Sequence, residues 1–302
     1  MNDPKTMIEF IEMFGTEEDC RQALFEHRWP DGFRCPRCGC DRAYTHKKRP
    51  LFECVSCSHQ ASLTAGTILE GTRTDLRKWF LAIYLLATTK KPLSSAELAR
   101  QLGIATVTAW TMRRKITRAM ARGEGELMLA GVVEMDEAYV GGASKGKRGR
   151  GAAGKTPVAV MAQQNESGGC DLAHMLVIND TSGLSLEGDA TACITPGSVI
   201  ASDALPAYRR LAKAGYVHEP LITGEAENAA ELLPWVHIVV SNLKRWILDA
   251  FHGVSAKHLQ SYLDEFCYRF NRRSQRTDLF RRVLNRCVRF TEPVTYAQLI
   301  AS

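Results

Sequence analysis

Apolar side chains recur at the spacing of amphipathic helices in two early parts of the chain. Residues 8–25 carry apolar positions three and four apart, interrupted once, and residues 76–86 form a more apolar run. The second run ends before Lys90-Lys91-Pro92, and a proline there is typical of a helix that has stopped. The pattern predicts helices on both sides of a segment, about 33–60, that lacks this periodicity.

A pair of short helices is predicted next. Ser94-Ser95-Ala96-Glu97 has the form of a capping box, in which a serine hydroxyl and a glutamate three residues later satisfy backbone N–H groups. The helix that it opens stops at Gly103, and a second helix runs from about Thr106 to Met120. Two short helices joined by a glycine turn indicate a helix-turn-helix, although a plain helical linker packed on the core has the same pattern.

The second of these helices is basic, which favours the helix-turn-helix. Arg113, Arg114 and Lys115 stand together on it, a short distance after the segment at about 33–60. In a helix-turn-helix the second helix enters the major groove of DNA. We therefore expect these three side chains to contact DNA.

Beyond residue 129 the apolar positions fall into short runs that are typical of strands. Three runs, at 129–140, 157–161 and 172–178, predict an antiparallel meander. A fourth strand is predicted at 198–203 and a fifth at 237–240, the fifth running directly into a helix that starts at Ser241. Three strands followed by alternating strands and helices predict an α+β fold, with a mixed sheet flanked by helices.

Four cysteines in two pairs lie in the segment without helical periodicity. Cys35 and Cys38 are separated by two residues, Cys54 and Cys57 repeat that spacing, and fifteen residues lie between the pairs. A thiolate pair on a tight turn binds one side of a zinc ion, and a second pair completes a tetrahedral site. The spacing predicts a structural zinc ribbon, a unit that usually presents a small rigid surface to nucleic acid or protein.

Two disulfides are the alternative explanation of these four cysteines. The N-terminus shows no secretory signal and the remaining cysteines are scattered, as in a reduced cytosol, which favours zinc. Cys40 also lies within reach and could replace Cys38 as a ligand. Phe33, Tyr44 and Phe52 are expected to cover the metal, because a unit this small has little other core.

Length and composition are those of a globular protein with two or three domains. The 302 residues are 45% hydrophobic and 24% charged, and no apolar stretch reaches the length of a membrane span. The net charge of +6 is unevenly distributed: residues 145–155 carry no acid, and residues 269–289 hold eight arginines against Asp278. Such local excess indicates a polyanionic partner, although each run taken alone is more often a solvated face.

Two aspartates stand at positions where carboxylates are unusual. Asp136 lies within the predicted strand 129–140, and Asp203 ends the predicted strand 198–203. Carboxylates at the ends of neighbouring strands repel each other and favour divalent cations, and Mg²⁺ prefers oxygen ligands. A pair of such ions can activate the attacking oxygen and stabilise the leaving oxygen in phosphoryl transfer. Aspartates that merely begin turns would have the same spacing.

Four motifs then follow one another along the second half of the chain. They are Asp136-Glu-Ala-Tyr-Val-Gly-Gly142 with the basic loop after it, Ser202-Asp203-Ala-Leu-Pro-Ala-Tyr208, Ser241-Asn242-Leu-Lys244, and residues 252–273. With the cysteine pairs, they resemble the zinc-ribbon insertion-sequence transposases of the DDE superfamily over nearly the whole chain. The resemblance implies a ribonuclease-H-like sheet and DNA strand transfer that depends on Mg²⁺ or Mn²⁺.

The resemblance also implies roles for individual residues. Asp136 and Asp203 are then metal ligands, and the third metal-binding position falls on Asn242, where many members of the superfamily have glutamate. A neutral amide oxygen binds Mg²⁺ more weakly than a carboxylate does, so either the site tolerates one fewer negative charge or another carboxylate helps. Lys244 is expected to contact the DNA backbone near the scissile phosphate.

Glu265 is the natural candidate for that additional carboxylate. Glu265, Arg269 and Arg272 stand at i, i+4 and i+7 on one predicted helical face, as in the branch of the family with asparagine and lysine at the third position. We expect them to take part in the active site by metal binding or by contact with substrate phosphate. Salt bridges that stiffen a surface helix would have the same spacing.

These observations predict four parts of the chain. They are an N-terminal helical segment at 1–32, the zinc ribbon at 33–60, a helix-turn-helix region at 72–122, and a ribonuclease-H-like catalytic domain with basic C-terminal helices at 129–302. The zinc ribbon and the helix-turn-helix region would recognise the terminal inverted repeats of the element, and the fourth part would hydrolyse and join DNA.

The expected protein is a cytoplasmic, nucleoid-associated DNA transposase without membrane contact. Lys147, Arg148 and Arg150 of the basic loop would bind DNA, and pairing two DNA ends would require at least a dimer. A non-catalytic regulator derived from a transposase, and a metal-dependent nuclease that cleaves without joining, are the two alternatives.

Overall fold

The protein divides into two compact units. The computed structural model describes residues 3–45, 51–122, 127–141, 155–221, 232–251, 253–275, 277–289 and 294–301. The first unit combines residues 1–120 with 275–302, and the second covers residues 121–274. Lys147, Arg148 and Arg150, which were predicted to bind DNA, lie outside the described residues.

The described residues of the first unit form helices around a three-stranded ribbon. The helices are α1 (Met7–Met13), α2 (Glu17–Arg28), α3 (Leu76–Thr88), α4 (Ser95–Leu102), α5 (Thr106–Ala121), and, from the C-terminal part, α9 (Leu279–Arg289) and α10 (Tyr296–Ala301). The ribbon strands are β1 (Ala43–Thr45), β2 (Leu51–Cys54) and β3 (Gln60–Ser62), paired antiparallel in that order. The early helices therefore agree with the apolar periodicity.

An aromatic cluster holds the helices of this unit together. The rings of Phe10, Phe14, Phe80, Tyr84 and Phe280 lie with centroids 4.7 to 6.2 Å apart, in tilted and edge-to-face arrangements that aromatic pairs favour. Four of these side chains come from α1, the residue after it and α3, and the fifth is near the start of α9.

The position of α9 corrects the predicted domain boundary. The arginine-rich C-terminal segment was assigned to the catalytic domain, but residues 275–302 belong to the first unit. The apolar face of α9 is the reason: Phe280, Val283, Leu284 and Cys287 are buried, and the helix packs on α2 and α3. The arginines of this segment were read as a charge run, whereas its spacing of apolar residues determines where it packs.

Carboxylates distant in sequence cap two helices of this unit. Glu17 accepts hydrogen bonds from the backbone N–H groups of Leu76 and Arg77 at 3.0 and 3.3 Å, at the start of α3. Asp3 accepts from the N–H groups of Phe280 and Arg281 at the start of α9, at 3.0 and 2.8 Å. The first N–H groups of a helix have no partner within it, so a remote carboxylate both satisfies them and fixes the helix in place.

The two helices predicted between Ser94 and Met120 are present. Ser94 accepts a hydrogen bond from the Glu97 N–H at 3.2 Å, and Gly103 ends α4 in the left-handed conformation that glycine adopts readily. The predicted capping box is only half formed, because the Glu97 carboxylate is bonded to Arg100 and Gln101.

The second unit is built on a five-stranded mixed sheet. Its strands are β4 (Val132–Val140), β5 (Thr156–Gln164), β6 (Cys170–Val177), β7 (Val199–Asp203) and β8 (Val217–Leu221), in the order β6-β5-β4-β7-β8. The pairs β4–β5 and β5–β6 are antiparallel, and β7 and β8 are added in parallel. The predicted meander and the predicted mixed sheet flanked by helices are confirmed.

The predicted fifth strand is wrong. Residues 237–240 lie inside a long helix, α7 (Pro234–Phe251), and the fifth strand of the sheet is β8. The sequence His-Ile-Val-Val has β-branched residues that favour strands, but Val236, Val239, Leu243 and Trp246 continue its apolar spacing as one helical face. Packing of that face outweighs the local preference of the β-branched residues.

Helices cover both faces of this sheet. The face with Ala138 and Val140 packs under α7 and α8 (Leu259–Phe270), and the face with Val133 and Met135 packs under α6 (Gly183–Cys193) and the 3₁₀ helix Pro206–Ala214. Because side chains alternate along β4, its even-numbered residues face α7 and its odd-numbered residues face α6. Among the described residues of the chain, no helix combines the length and the apolar character that a membrane crossing requires.

Side chains of α8 and the residues after it pair with the edge strand β6. Gln260 accepts from the Val177 N–H at 2.8 Å and donates to the Met175 carbonyl at 3.1 Å. Asn271 accepts from the Ala173 N–H at 2.8 Å and donates to the Ala173 carbonyl at 3.1 Å. These amides supply the hydrogen bonds that a sixth strand would otherwise make, so they close an edge that is prone to aggregation.

Replacing Asn271 with alanine is expected to destabilise the second unit by about 1–3 kcal/mol, because a buried backbone N–H and carbonyl of β6 lose their partner. Chemical denaturation measures the change in the free energy of unfolding. The matched control is Asn179→Ala, at an exposed position just beyond β6, which should change stability by less than about 0.5 kcal/mol. Equal stability of the two variants would show that Asn271 does not protect the edge.

Candidate active site and metal centres

The four predicted zinc ligands form one cluster. The Sγ atoms of Cys35, Cys38, Cys54 and Cys57 all lie within 4.8 Å of one another, with Cys35–Cys57 at 3.6 Å and Cys38–Cys54 at 3.5 Å. Tetrahedral zinc with Zn–S bonds of about 2.3 Å requires sulfur atoms roughly 3.8 Å apart. The cluster therefore fits zinc. Cys40 is outside it, so the alternative ligand set is not the one formed.

Two turns present the cysteines. Gly39 N–H donates to the Cys35 carbonyl at 2.9 Å, and Ser58 N–H donates to the Cys54 carbonyl at 3.0 Å. Gly39 and Ser58 both have positive φ, which closes each turn tightly. Burial opposes ionisation of Cys35, but hydrogen bonds from the backbone N–H groups of Arg37 and Cys38 lower the pKa of its thiol to about 7.

Aromatic residues support one side of the ribbon. Phe33 and Phe52 stack with their ring centroids 5.8 Å apart, and Phe25 and Trp29 of the preceding segment each lie within 5.3 Å of Phe52. Tyr44 was expected to share this role, but its side chain is exposed. The helix α2 therefore supplies core that the prediction had assigned to Tyr44.

The two predicted catalytic aspartates lie on adjacent strands. The pairing of β4 with β7 is parallel and places Met135 opposite Ser202, so Asp136 and Asp203 are at neighbouring positions of the two strands. Both belong to the sheet face that packs under α7, because Ala138 and Ala201 of the same strands lie in that core. Two carboxylates from one edge of a parallel strand pair thus point to the same side of the sheet.

The electrostatics of this pair favour a cation. Burial raises the pKa of Asp136 to about 6, and the charges of Glu137 and Asp203 add to the increase. The Glu137 N–H donates to Asp136 Oδ1 at 2.8 Å, and the charge of His237 lowers the pKa, but neither offsets burial. A carboxylate that is costly to ionise beside a second carboxylate is stabilised when a divalent cation binds both.

One face of α7 lies opposite Asp136. His237, Val240 and Lys244, at i, i+3 and i+7, line a cleft of about 240 Å³ together with Asp136 and Lys155. The β4 side of the cleft also includes Glu137, Ala138 and Tyr139. The α7 side also includes Val236. Partial burial and the neighbouring Lys155 charge lower the pKa of Lys244. Carboxylate, imidazole and two ammonium groups therefore converge in one cleft.

Asn242 is not part of this cleft. It lies in the middle of α7, and its side chain is exposed. The prediction placed Asn242 at the start of a helix after the fifth strand, but that helix begins eight residues earlier, at Pro234. Five residues after His237, a side chain is rotated by about 140° around the helix axis. The described structure therefore brings His237, and not Asn242, to Asp136.

The opposite face of the sheet secures the strand ends that carry the aspartates. The Tyr208 hydroxyl donates to Glu137 Oε1 at 2.8 Å, and Tyr208 is fully buried. Ser202 Oγ lies 2.9 Å from His218 Nε2, linking β7 to β8. Glu137 thus faces away from Asp136, as expected for its neighbour on a strand, and it holds the 3₁₀ helix against β4.

Glu265 and Arg269 on α8, and Arg272 just after it, lie outside the cleft that contains Asp136. Glu265 is fully buried, and its Oε1 lies 3.3 Å from Arg269 Nη2. The Arg272 guanidinium lies 4.1 Å from the Tyr268 ring centroid and donates to the Tyr268 carbonyl. None of the three lines the described cleft, and the i, i+4 ion pair is the structural alternative that the spacing allowed.

The basic residues of α5 are buried. Arg113, Arg114 and Lys115 are 1%, 4% and 8% exposed, and Arg113 Nε donates to the Leu93 carbonyl at 3.0 Å. Burial lowers the pKa of Lys115, and the Arg114 guanidinium lies 5.5 Å from the Trp110 ring centroid. This contradicts the expectation that α5 presents these three charges to DNA, since such side chains do not reach a duplex in this conformation.

The first turn of α5 is the part that reaches solvent. Thr106 and Val107 are exposed, and Thr108 and Thr111 are partly exposed. In helix-turn-helix proteins the N-terminal residues of the second helix contact base edges. The exposed residues of α5 are therefore at its first turn, and the three predicted residues are not among them.

Two residues of the cleft were missed from the sequence as site residues. His237 was assigned to a strand, although reading 234–251 as one helix places it seven residues before Lys244 on the same face. Lys155 was seen only as the last charge of the basic loop, yet it directly precedes β5 and lines the same cleft as Asp136.

Two parts of the chain are similar to known transposase domains. A family model described as the transposase zinc-ribbon domain matches residues 15–60, and one described as the ISXO2-like transposase domain matches residues 128–271. A protein of Halobacterium salinarum, described as an uncharacterized protein in transposable element ISH50, is 28% identical over 172 residues. That match covers 51% of this chain and 57% of the relative, so the chain spans little more than half of that protein's length.

Solved structures of Mos1 transposase complexes are also similar to parts of the chain. The pre-cleavage Mos1 transpososome is 13% identical, with a TM-score of 0.29, over 72% of this chain and 80% of that chain. The Mos1 strand transfer complex is 16% identical, with a TM-score of 0.32, over 72% and 79%. Structural similarity at these TM-scores supports no conclusion about the site of this chain.

Removing one cysteine ligand is expected to abolish zinc binding. Cys57→Ser should reduce bound zinc, measured by elemental analysis, from about one ion per chain to near zero and should lower the melting temperature of the first unit. Cys40→Ser is the matched control and should keep its zinc, because Cys40 is outside the cluster. Loss of zinc from the Cys40 variant, or full zinc in the Cys57 variant, would contradict the ligand assignment.

Neutralising Asp136 is expected to stabilise the metal-free protein. Because the folded-state pKa of about 6 exceeds the ordinary value of 3.8, ionisation costs stability as pH rises from about 4 to 6. Asp136→Asn should therefore raise the free energy of unfolding at pH 8 by about 1–3 kcal/mol, and the gain should vanish near pH 4.

Denaturant titrations of the metal-free protein at pH 4 and pH 8 measure this difference. Asp180→Asn is the control: hydrogen bonds from Ser182 and Ser185 lower the pKa of Asp180, so its neutralisation should bring no gain. A destabilised Asp136→Asn variant at pH 8 would contradict the electrostatic description of the cleft.

Proposed function

We propose that the chain is an ISXO2-like transposase of an insertion sequence, because a transposase zinc-ribbon model matches residues 15–60 and an ISXO2-like transposase domain model matches residues 128–271. It would bind the terminal inverted repeats of its element, hydrolyse DNA at the ends, and join the freed 3′-hydroxyls to target DNA. The observation that carries this proposal is the cleft in which Asp136, His237, Lys155 and Lys244 converge beside Asp203.

The metal site of this reaction is proposed at Asp136 and Asp203, with His237 drawn in as a third ligand from the facing helix. Among the described residues, the group of three or more ligand residues already within 4.8 Å of one another is the cysteine cluster, so binding an ion here would bring these three side chains closer together. A divalent cation there would polarise a phosphate oxygen and lower the pKa of a bound water. Asp136 and Asp203 would supply carboxylate oxygens from adjacent strands, and His237 would supply an imidazole nitrogen from the facing helix. Nitrogen suits transition-metal ions better than Mg²⁺, so we expect Mn²⁺ to support more activity than Mg²⁺.

Lys155 and Lys244 are proposed to bind the DNA backbone at this site. Both lysines line the same cleft as Asp136. Partial burial and the charge of Lys155 lower the pKa of Lys244, and a phosphate between the two lysines would offset their repulsion. The reaction then proceeds by positioning and charge stabilisation, with no covalent enzyme intermediate.

Recognition of the element's ends is proposed for the first unit. The zinc ribbon and the exposed first turn of α5 are its two candidate DNA surfaces; Thr106 and Val107 are exposed there and Thr108 is partly exposed. Pairing two ends would require at least a dimer, and a DNA substrate implies that the protein acts beside the chromosome in the cytoplasm. Zinc in the ribbon would have a structural role, because its four ligands leave no open position.

A strand-transfer assay with DNA that carries the inverted repeats flanking the gene tests the proposal. With Mn²⁺ or Mg²⁺, the wild type should give joined products, and Asp136→Ala and Asp203→Ala should give none. His237→Ala should reduce the rate at least about 100-fold, because it removes one of three proposed ligands. The matched control Asn242→Ala, on the exposed side of the same helix, should stay within about 3-fold of wild type.

If Asn242→Ala lost its strand-transfer activity and His237→Ala kept it, Asn242 would be the third metal-binding position and the proposed ligand set would be overturned. Cleavage by the wild type without joined products would identify a nuclease. Specific DNA binding with neither cleavage nor joining, unaffected by the aspartate substitutions, would identify a regulator.

A further inference from the structure

Glu134 is a buried carboxylate that none of the predicted roles involves. It lies two residues before Asp136 on β4, on the same face of the strand, and it is 1% exposed. Burial raises the pKa of Glu134. A buried acid is costly unless its oxygens are hydrogen-bonded, so the partners of this group indicate what it does.

Both oxygens of Glu134 have partners. Oε2 accepts hydrogen bonds from the backbone N–H groups of Trp235 and Val236 at 2.8 and 2.9 Å. Oε1 accepts from Gln164 Nε2, on the neighbouring strand β5, at 3.0 Å. Trp235 and Val236 are the second and third residues of α7, so Glu134 caps the N-terminus of this helix from the central strand.

The helix α7 has no cap of its own. The residue before it is Leu233, whose side chain cannot accept a hydrogen bond, and Pro234 has no N–H. The first bond within the helix runs from the His237 N–H to the Leu233 carbonyl at 3.3 Å. The two N–H groups before it would be orphaned without Glu134, and Val236 is buried away from water.

This cap fixes the helix that carries half of the cleft. Val236 directly precedes His237, and Lys244 follows seven residues later on the same face, about 11 Å along a rigid helix. The other end of the connection is β4, on which Asp136 lies about 7 Å from Glu134. One side chain therefore joins the two elements that face each other across the cleft.

We propose that Glu134 is the positioning residue of the active site: by capping α7 from the strand that bears Asp136, it sets His237 and Lys244 at their working distance from Asp136. This inference rests on the proposed function for its catalytic consequence, although not for the geometry itself. A displacement of about 1 Å in a catalytic group can cost roughly 100-fold in rate.

Two substitutions separate positioning from folding. Glu134→Ala removes the cap, whereas Glu134→Gln keeps a side-chain oxygen for the Trp235 and Val236 N–H groups, and the Gln164 amide can rotate to accept from the new amide. The matched control is Glu17→Ala, which removes the same kind of two-bond cap from α3 in the other unit. Melting temperatures give the folded fraction of each variant.

The first readouts are the joining rate at saturating DNA, the affinity for the DNA ends, and hydrogen exchange at Trp235 and Val236. Glu134→Ala should lose protection of both amides and fall about 30- to 100-fold in rate per folded molecule, with affinity within about 3-fold. Glu134→Gln should recover to within about 5-fold of wild type. Glu17→Ala should lose stability but keep its rate at saturating DNA.

A second readout does not require activity. Asp136→Asn should shift the His237 imidazole resonances in the wild-type background, because the two side chains interact across the cleft. The shift should persist with Glu134→Gln and shrink by more than half with Glu134→Ala. If the wild type proves unable to join DNA while these shifts behave as stated, the proposed function is wrong and the positioning role stands.

An unchanged rate per folded molecule in Glu134→Ala would overturn the inference. So would a full His237 shift in that variant, since α7 would then keep its place without the cap. Failure of Glu134→Gln to recover despite protected amides would also overturn it, because the charge of Glu134 and not its hydrogen bonds would then be required.

Discussion

The site depends on how the central strand β4 pairs with its neighbours. Its parallel register with β7 sets Asp136 beside Asp203, and its antiparallel register with β5 brings Lys155 to the same edge. Because side chains alternate along a strand, one face of β4 carries Glu134 and Asp136 towards α7, and the other carries Glu137 to Tyr208. A slip of one residue would turn every one of these groups to the wrong side of the sheet.

The same arrangement lowers the stability of the folded protein. Asp136 is a half-buried carboxylate beside a second carboxylate, and its raised pKa expresses that cost at neutral pH. Glu134 and Glu137, its neighbours in sequence, are acids that the fold satisfies with hydrogen bonds, from helix N–H groups and from a tyrosine hydroxyl. Within the described part of the chain, Asp136 accepts such a bond from the Glu137 N–H. Charge that the protein leaves uncompensated is available to a metal ion.

Much of this architecture could be predicted from the sequence. The cysteine spacing gave the zinc cluster, and the runs of alternating apolar residues gave the meander, with Asp136 and Asp203 on adjoining strands. The incorrect predictions share one cause. They followed the local sequence pattern at positions where tertiary packing determines the structure. The β-branched residues at 237–240 indicated a strand, but the apolar face that continues to Trp246 makes them helical and brings His237 to the cleft. The arginine-rich α9 was assigned by its charge, but Phe280 anchors it among the aromatic rings of the first unit.

Burial was the property least accessible to sequence reasoning. Arg113, Arg114 and Lys115 read as a DNA-binding face, and nothing in their order indicates that they are enclosed. Glu265 likewise matched the spacing of a catalytic helper, yet it is fully buried in an ion pair with Arg269. Whether a charged side chain binds a ligand or stabilises the fold depends on contacts between elements far apart in the chain, such as the contact of Glu134 with α7.

The most direct test of the central claim is a crystal structure with Mn²⁺, with the ion located by its anomalous scattering. The account predicts a peak between Asp136 and Asp203 that also contacts the His237 imidazole, with Asn242 remote from it. No peak between the two aspartates, or a peak that contacts Asn242 in place of His237, would contradict the account.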